Sequence, residues 1–85
     1  MSTDDIKTKI KKSIAHIANL SPEEIADDAS YKDDLNLDSL TILEIAVDAE
    51  YQFKITIPDD ELDAIRTVND TVNIVQQYLS MAAVA

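Results

Sequence analysis

At 85 residues and 46% hydrophobic composition the chain can build one small core, but not a second domain or a deep substrate cavity. Its net charge of −10 is polarised, with Lys7, Lys9, Lys11 and Lys12 against Asp4 and Asp5 giving residues 1–19 a sum of +2 and leaving −12 elsewhere, a balance that repels nucleic acid and anionic membrane. With no cysteine and one histidine, His16, the composition offers no disulfide, no thiolate nucleophile and no multi-histidine metal site.

Ile6, Ile10, Ile14 and Ile17 recur at helical spacing, with lysines on the other faces and Ser2 or Thr3 available as N-cap, predicting a first helix from Thr3 to Asn19. The lysines interrupt its apolar character, so it does not read as a signal peptide, and no apolar run in the chain is long enough to span a membrane. A soluble, cytoplasmic, monomeric protein is expected. His16 is expected to be a structural residue of the first helix. Leu20 to Leu37 is long for a structureless loop in so small a domain, and it carries its own punctuation. Ser21-Pro22-Glu23-Glu24 reads as a capping box, with Leu20 and Ile25 at the staple positions, predicting one helical turn near Pro22 to Ile25. Tyr31, Leu35 and Leu37 are expected to hold the rest of the crossing down. Because the chain lacks glycine, a left-handed turn must fall on Asn or Asp, and Asn36 is the candidate.

From Asp38 the apolar residues cover more than one face of a helix. Ile42, Ile45, Ala49 and Phe53 suit a bundle core, leaving Leu40, Leu43 and Val47 as a second stripe edged by Glu44, Asp48 and Glu50. That stripe suits a partner with an apolar patch ringed by basic residues, while a central helix buried on most sides meets the same pattern. Lys54-Ile55-Thr56-Ile57 alternates but has no strand to pair with, so it reads as an extended connector. Pro58-Asp59-Asp60-Glu61 opens a short helix ending near Ile65. Thr67-Val68-Asn69-Asp70 is a second capping box, starting a last helix through Val72, Val75, Tyr78 and Leu79. Residues 80–85 are expected to fray. Three main helices and one short one predict a single all-α domain over residues 1–85, a small four-helix bundle with a long first loop.

Ser39 draws attention within this frame. With Asp38 as N-cap, Ser39 takes the first helical position, where free N–H groups and the helix dipole favour a phosphate on its hydroxyl. Asp38 adds a like charge beside such a phosphate unless a divalent cation bridges the two during transfer. Capping alone also accounts for Asp-Ser at a helix start. In so small a chain no acid–base pair with a pocket can be argued, so an enzyme is not expected.

Asp33-Asp34-Leu35-Asn36-Leu37-Asp38-Ser39-Leu40, the acidic helix after it, Ile57-Pro58-Asp59-Asp60 and Arg66-Thr67-Val68 together resemble the acyl carrier proteins, particularly the free-standing carriers of fatty-acid synthesis. The resemblance implies that Ser39 carries 4′-phosphopantetheine, donated from coenzyme A by a phosphopantetheinyl transferase, with Asp38 part of the modification motif. The terminal thiol would then hold growing acyl chains as thioesters. It places Leu40, Leu43, Glu44, Val47, Asp48 and Glu50 on the helix offered to partner enzymes, with Asp59, Asp60 and Glu61 extending that surface. The implied partners are ketosynthase, acyltransferase, ketoreductase, dehydratase and enoyl reductase enzymes with basic docking patches. Two departures stand out: Asn36 where many relatives have glycine, and Thr41 where many have an acid. Service in a polyketide or lipid-tailoring pathway, or as an unmodified acidic interaction module, fits the same residues.

Overall fold

The computed structural model describes residues 2–84, with side chains through Met81. Helix α1 spans Thr3–Ala18, α2 Ser39–Phe53, α3 Asp59–Leu62 and α4 Val68–Val84; among the described residues there is no strand. The long α1, α2 and α4 pack on one another, while α3 is a single short turn over one edge.

Local chemistry sets most of the boundaries. The Ser2 hydroxyl accepts the Asp5 N–H at 3.2 Å and the Asp5 carboxylate accepts the Ser2 N–H at 3.3 Å, satisfying two donors that the first turn of α1 leaves free. Helix α1 stops at Ala18, one residue earlier than its pattern predicts, because Asn19 turns left-handed at φ 59° and the Leu20 N–H folds back to the Ala15 carbonyl at 2.9 Å. The turn expected at Pro22 to Ile25 is a 3₁₀ turn over Pro22–Glu24, with the Glu24 carboxylate accepting the Ser21 N–H at 3.4 Å. Asn36 is left-handed at φ 59°, as the absence of glycine predicts, and Lys54 takes the same conformation at φ 57° to end α2.

Helix α3 ends at Leu62, short of Ile65, because the chain tightens into three-residue turns: the Ala64 N–H bonds the Glu61 carbonyl at 3.1 Å and the Ile65 N–H bonds that of Leu62 at 3.2 Å. At the start of α4 the Thr67 hydroxyl and the Asp70 carboxylate accept each other's backbone N–H, both at 3.1 Å. Helix α4 runs on to Val84, through the segment expected to fray from Ser80, since Met and Ala favour helix; Ala85 lies outside the described residues.

The core is built from Ile6, Ile10 and Ile14 of α1, Ile42, Ile45, Ala46, Ala49 and Phe53 of α2, and Val68, Val72 and Val75 of α4. The Leu20–Leu37 crossing is anchored in it by Ile25, Ala29 and Tyr31, all buried, with Leu35 and Leu37 packed against them. Two further ties fix the crossing. An isolated antiparallel bridge joins Ser30 to Thr67, with the Tyr31 N–H on the Arg66 carbonyl and the Val68 N–H on the Ala29 carbonyl, each at 3.0 Å. Below it the fully buried Tyr31 hydroxyl lies 2.5 Å from the Thr71 hydroxyl. Lys7 and Lys11 of α1 both pair with Asp27, holding the outer part of the crossing against the first helix.

Candidate functional site: the start of α2 and its exposed face

Ser39 is the first residue of α2 and is exposed. Its position is set by Asp38, whose extended backbone ends the crossing and whose carboxylate accepts the Thr41 N–H at 2.8 Å. That hydrogen bond holds the Asp38 carboxyl below the usual carboxylate range, so it is an anion at neutral pH. No acidic residue follows in the first turn of α2, where Thr41 is half-buried. Apart from Asp38, the field at this helix start therefore comes from its free N–H groups and favours an added negative charge.

Ser39 opens onto a groove of about 430 Å³ between α2 and the α3 edge. Its apolar wall comes from Ile42, Leu43, Ala46, Leu62 and Ile65, and its charged lining residues are Lys32 of the crossing and Asp63 after α3. An exposed hydroxyl, a helix start and a nearby ammonium group suit a phosphodiester; the apolar wall beyond suits a less polar extension of the same group. The residues thus fit a phosphate-linked arm. Lys32 carries no motif signal, and only its place in the fold brings it to the groove that Ser39 opens onto.

The exposed face of α2 resolves the two readings of its pattern. Leu40, Leu43 and Val47 are 65%, 45% and 47% exposed, so they form an outward stripe, while Ile42, Ile45, Ala49 and Phe53 point into the core. Glu44 is exposed and Asp48 half-buried along this stripe, and Asp59 and Asp60 are exposed on α3. Glu50 and Glu61, expected on the same surface, are half-buried and make hydrogen bonds within the molecule. The Glu50 carboxylate accepts the Ile57 N–H at 2.8 Å, fastening the connector after α2, and the Glu61 carboxylate accepts the Tyr78 hydroxyl, fastening α3 to α4. The carboxylate holds the Tyr78 hydroxyl above its usual pKa. Tyr51, absent from the sequence reading, is 87% exposed and extends the α2 stripe. Its spacing from Val47 was the available signal. His16 is exposed on α1.

Residues 8–75 match the family model described as the phosphopantetheine attachment site. The acyl carrier protein of Petrotoga mobilis is 35% identical over 81 residues, 95% of each chain. That of Thermobifida fusca is 38% identical over 76 residues, 89% of this chain and 96% of the relative. The meromycolate extension acyl carrier protein of Mycobacterium tuberculosis is 36% identical over 77 residues, 91% of this chain and 67% of the relative. The fold is similar to the solution structure of the apo doublet acyl carrier protein from prodigiosin biosynthesis, with a TM-score of 0.78 at 24% identity, covering 87% of this chain and 36% of that one. Among the described residues no helix is long and apolar enough to cross a membrane.

Proposed function

Because the chain belongs to the acyl carrier proteins, carriers with covalently held 4′-phosphopantetheine, we propose that Ser39 is the attachment point and that the protein carries growing acyl chains between enzymes of fatty-acid synthesis. The observation that carries this reading is Ser39 exposed at the first position of α2, opening on an apolar groove. When bound, the arm supplies the terminal thiol on which acyl groups ride as thioesters. Asp38 fixes the helix start and so presents the Ser39 hydroxyl outward to a phosphopantetheinyl transferase. The α2 N–H groups and Lys32 offset the negative charge of a phosphodiester at that hydroxyl. Leu40, Leu43, Val47 and Glu44 form the docking face for ketosynthase, acyltransferase and the reductive enzymes, whose basic patches the net charge of −10 draws in.

The groove walls receive cargo. Each methylene of an acyl chain that leaves water there gains about 0.8 kcal/mol, less the cost of parting the core. Relatives named acyl carrier protein and meromycolate extension acyl carrier protein support acyl carriage. Which ketosynthase accepts the charged protein separates fatty-acid from polyketide service.

The test is intact mass after incubation with coenzyme A, magnesium and a broad-specificity phosphopantetheinyl transferase. A gain of one phosphopantetheine in the native chain and none in Ser39→Ala is expected. No gain by folded protein, or an equal gain in the variant, overturns the assignment.

A further inference from the structure

Helix α3 is the least supported element on which the Ser39 groove depends. Its four residues are too few for a helix to persist on its own hydrogen bonds. Those bonds are all local, from the Leu62 N–H to the Pro58 carbonyl at 3.0 Å and from the Asp63 N–H to that of Asp59 at 3.1 Å. Asp59 and Asp60 are exposed, and Leu62 is the one α3 side chain packed against the core. Among the described residues α3 makes a single side-chain hydrogen bond to another element, in which the half-buried Tyr78 hydroxyl of α4 donates to the half-buried Glu61 carboxylate. Leu62, the next residue along, lines the groove together with Ile42, Leu43 and Ala46 of α2. The wall onto which Ser39 opens is therefore held by a residue, Tyr78, that does not itself line the groove.

We propose that Tyr78 is a positioning residue for the carried acyl chain: by latching Glu61 it holds the α3 wall of the Ser39 groove in place and sets the chain length at which that wall must move. The proposal rests on the carrier reading and deepens it. The other anchors of this segment flank α3 instead of gripping it. Ile57 and Ile65 are buried on either side, and the Glu50 carboxylate accepts the Ile57 N–H at 2.8 Å. With both flanks pinned, the short turn between them moves as one piece, and Leu62 and the Tyr78 latch are what resist it. A short acyl chain finds room in the groove of about 430 Å³ as it stands and leaves the latch closed. A long chain must part α3 from α2, because a close-packed interior has no spare volume, and the burial of its further methylenes is then set against a lost hydrogen bond to a carboxylate. Deleting the Tyr78 hydroxyl lowers that cost for long chains alone.

The test compares the native chain with Tyr78→Phe, which keeps the ring and deletes the donor, and with Glu61→Gln, which keeps an acceptor. In the unmodified proteins, amide hydrogen exchange at Leu62, Asp63 and Ala64 is expected to rise about tenfold in Tyr78→Phe, as loss of a hydrogen bond to a charged group implies, and by less in Glu61→Gln, with Ile10 and Ile14 of α1 unchanged. Each protein is then loaded from butyryl-coenzyme A and from myristoyl-coenzyme A by a broad-specificity phosphopantetheinyl transferase. Circular dichroism melts compare the loaded forms with the unmodified ones and check that the variants fold. Tyr78→Phe is expected to enlarge the gain in Tm from the myristoyl chain and to leave the butyryl gain unaltered, a split that a merely structural tie does not produce. An equal change for both chains, or α3 exchange no faster in Tyr78→Phe than in the native chain, overturns the proposal. The exchange measurement needs no cargo and the mass gain at Ser39 is read separately, so a failed latch and a failed carrier assignment are told apart.

Discussion

Among the described residues Tyr31 and Thr71 form the one buried side-chain hydrogen bond that joins the crossing to α4, and the partners of each hydroxyl set what its loss costs. The Tyr31 hydroxyl lies 2.5 Å from Thr71 Oγ1, which itself donates to the Thr67 carbonyl at 3.4 Å. Tyr31→Phe removes one bond and leaves Thr71 its second partner, a loss of about 1 kcal/mol. Thr71→Val strands the Tyr31 hydroxyl in the core, a loss of about 2–3 kcal/mol. The double variant strands nothing, so the two losses are non-additive by about 1–2 kcal/mol. In a domain of this size each kcal/mol moves Tm by roughly 4–8 °C.

A pH arm sharpens the test. Burial pushes the Tyr31 hydroxyl up to about 12 from an ordinary value of 10.0. The folded state therefore favours the neutral phenol, its contribution is whole below pH 10.0, and it is lost as pH climbs toward 12. The most this can amount to is about 2.7 kcal/mol, at 1.36 kcal/mol per unit. Urea unfolding followed by far-ultraviolet circular dichroism at neutral and alkaline pH measures all of it. Additive single losses, or an alkaline loss as large in Tyr31→Phe as in the native chain, refute the reasoning.

Lys54 holds φ 57° with a full side chain, so Lys54→Gly relieves a penalty of about 1–2 kcal/mol while loosening the unfolded chain by about 0.5–1, a net gain in denaturation midpoint. A lower midpoint counts against the left-handed cap. Asp38→Ala removes the acceptor of the Thr41 N–H and is expected to lower Tm and speed amide exchange in the first turn of α2, whereas Asp38→Asn keeps the cap and most of the protection. The Lys11 and Lys7 ammonium groups hold the Asp27 carboxyl below its ordinary value of 3.8, so its contribution is whole above that value and is lost as pH falls below it. Tm measured on descending pH therefore shows a smaller acid loss in Asp27→Asn than in the native chain; equal losses mean that the ion pairs do not stabilise the fold.

The helical faces were legible because burial repeats at 3.6 residues: Ile6, Ile10 and Ile14, then Ile42, Ile45, Ala49 and Phe53, lie where periodicity places them. The predicted capping residues, Glu24, Asp38 and Asp70 among them, close on a backbone N–H because the partner is only three or four residues away. Asn36 was legible by elimination in a glycine-free chain. Lys54 was not, since nothing in a lysine side chain announces a left-handed cap. Leu40, Leu43 and Val47 are exposed as their pattern predicts, while Glu50 and Glu61 are half-buried and hydrogen-bonded within the chain. Sequence displays their charge but hides the Ile57 N–H and the Tyr78 hydroxyl that claim them. Tyr31 was marked as an anchor, yet its partner Thr71 stands 40 residues along the chain, beyond any local pattern.

That separation bears on how the molecule comes apart. Helices form from near neighbours, whereas the Ser30–Thr67 bridge and the Tyr31–Thr71 pair, like the packing of α1 on α4, require a long stretch of chain to close into a loop. A tie made after the rate-limiting step slows unfolding when strengthened and barely alters refolding, so φ-values near 0 are expected at Tyr31 and Thr71, and values near 1 refute that order. On that expectation the lifetime of the folded protein, and with it the exposure of its interior to proteases, is set by a clasp in the middle of the chain.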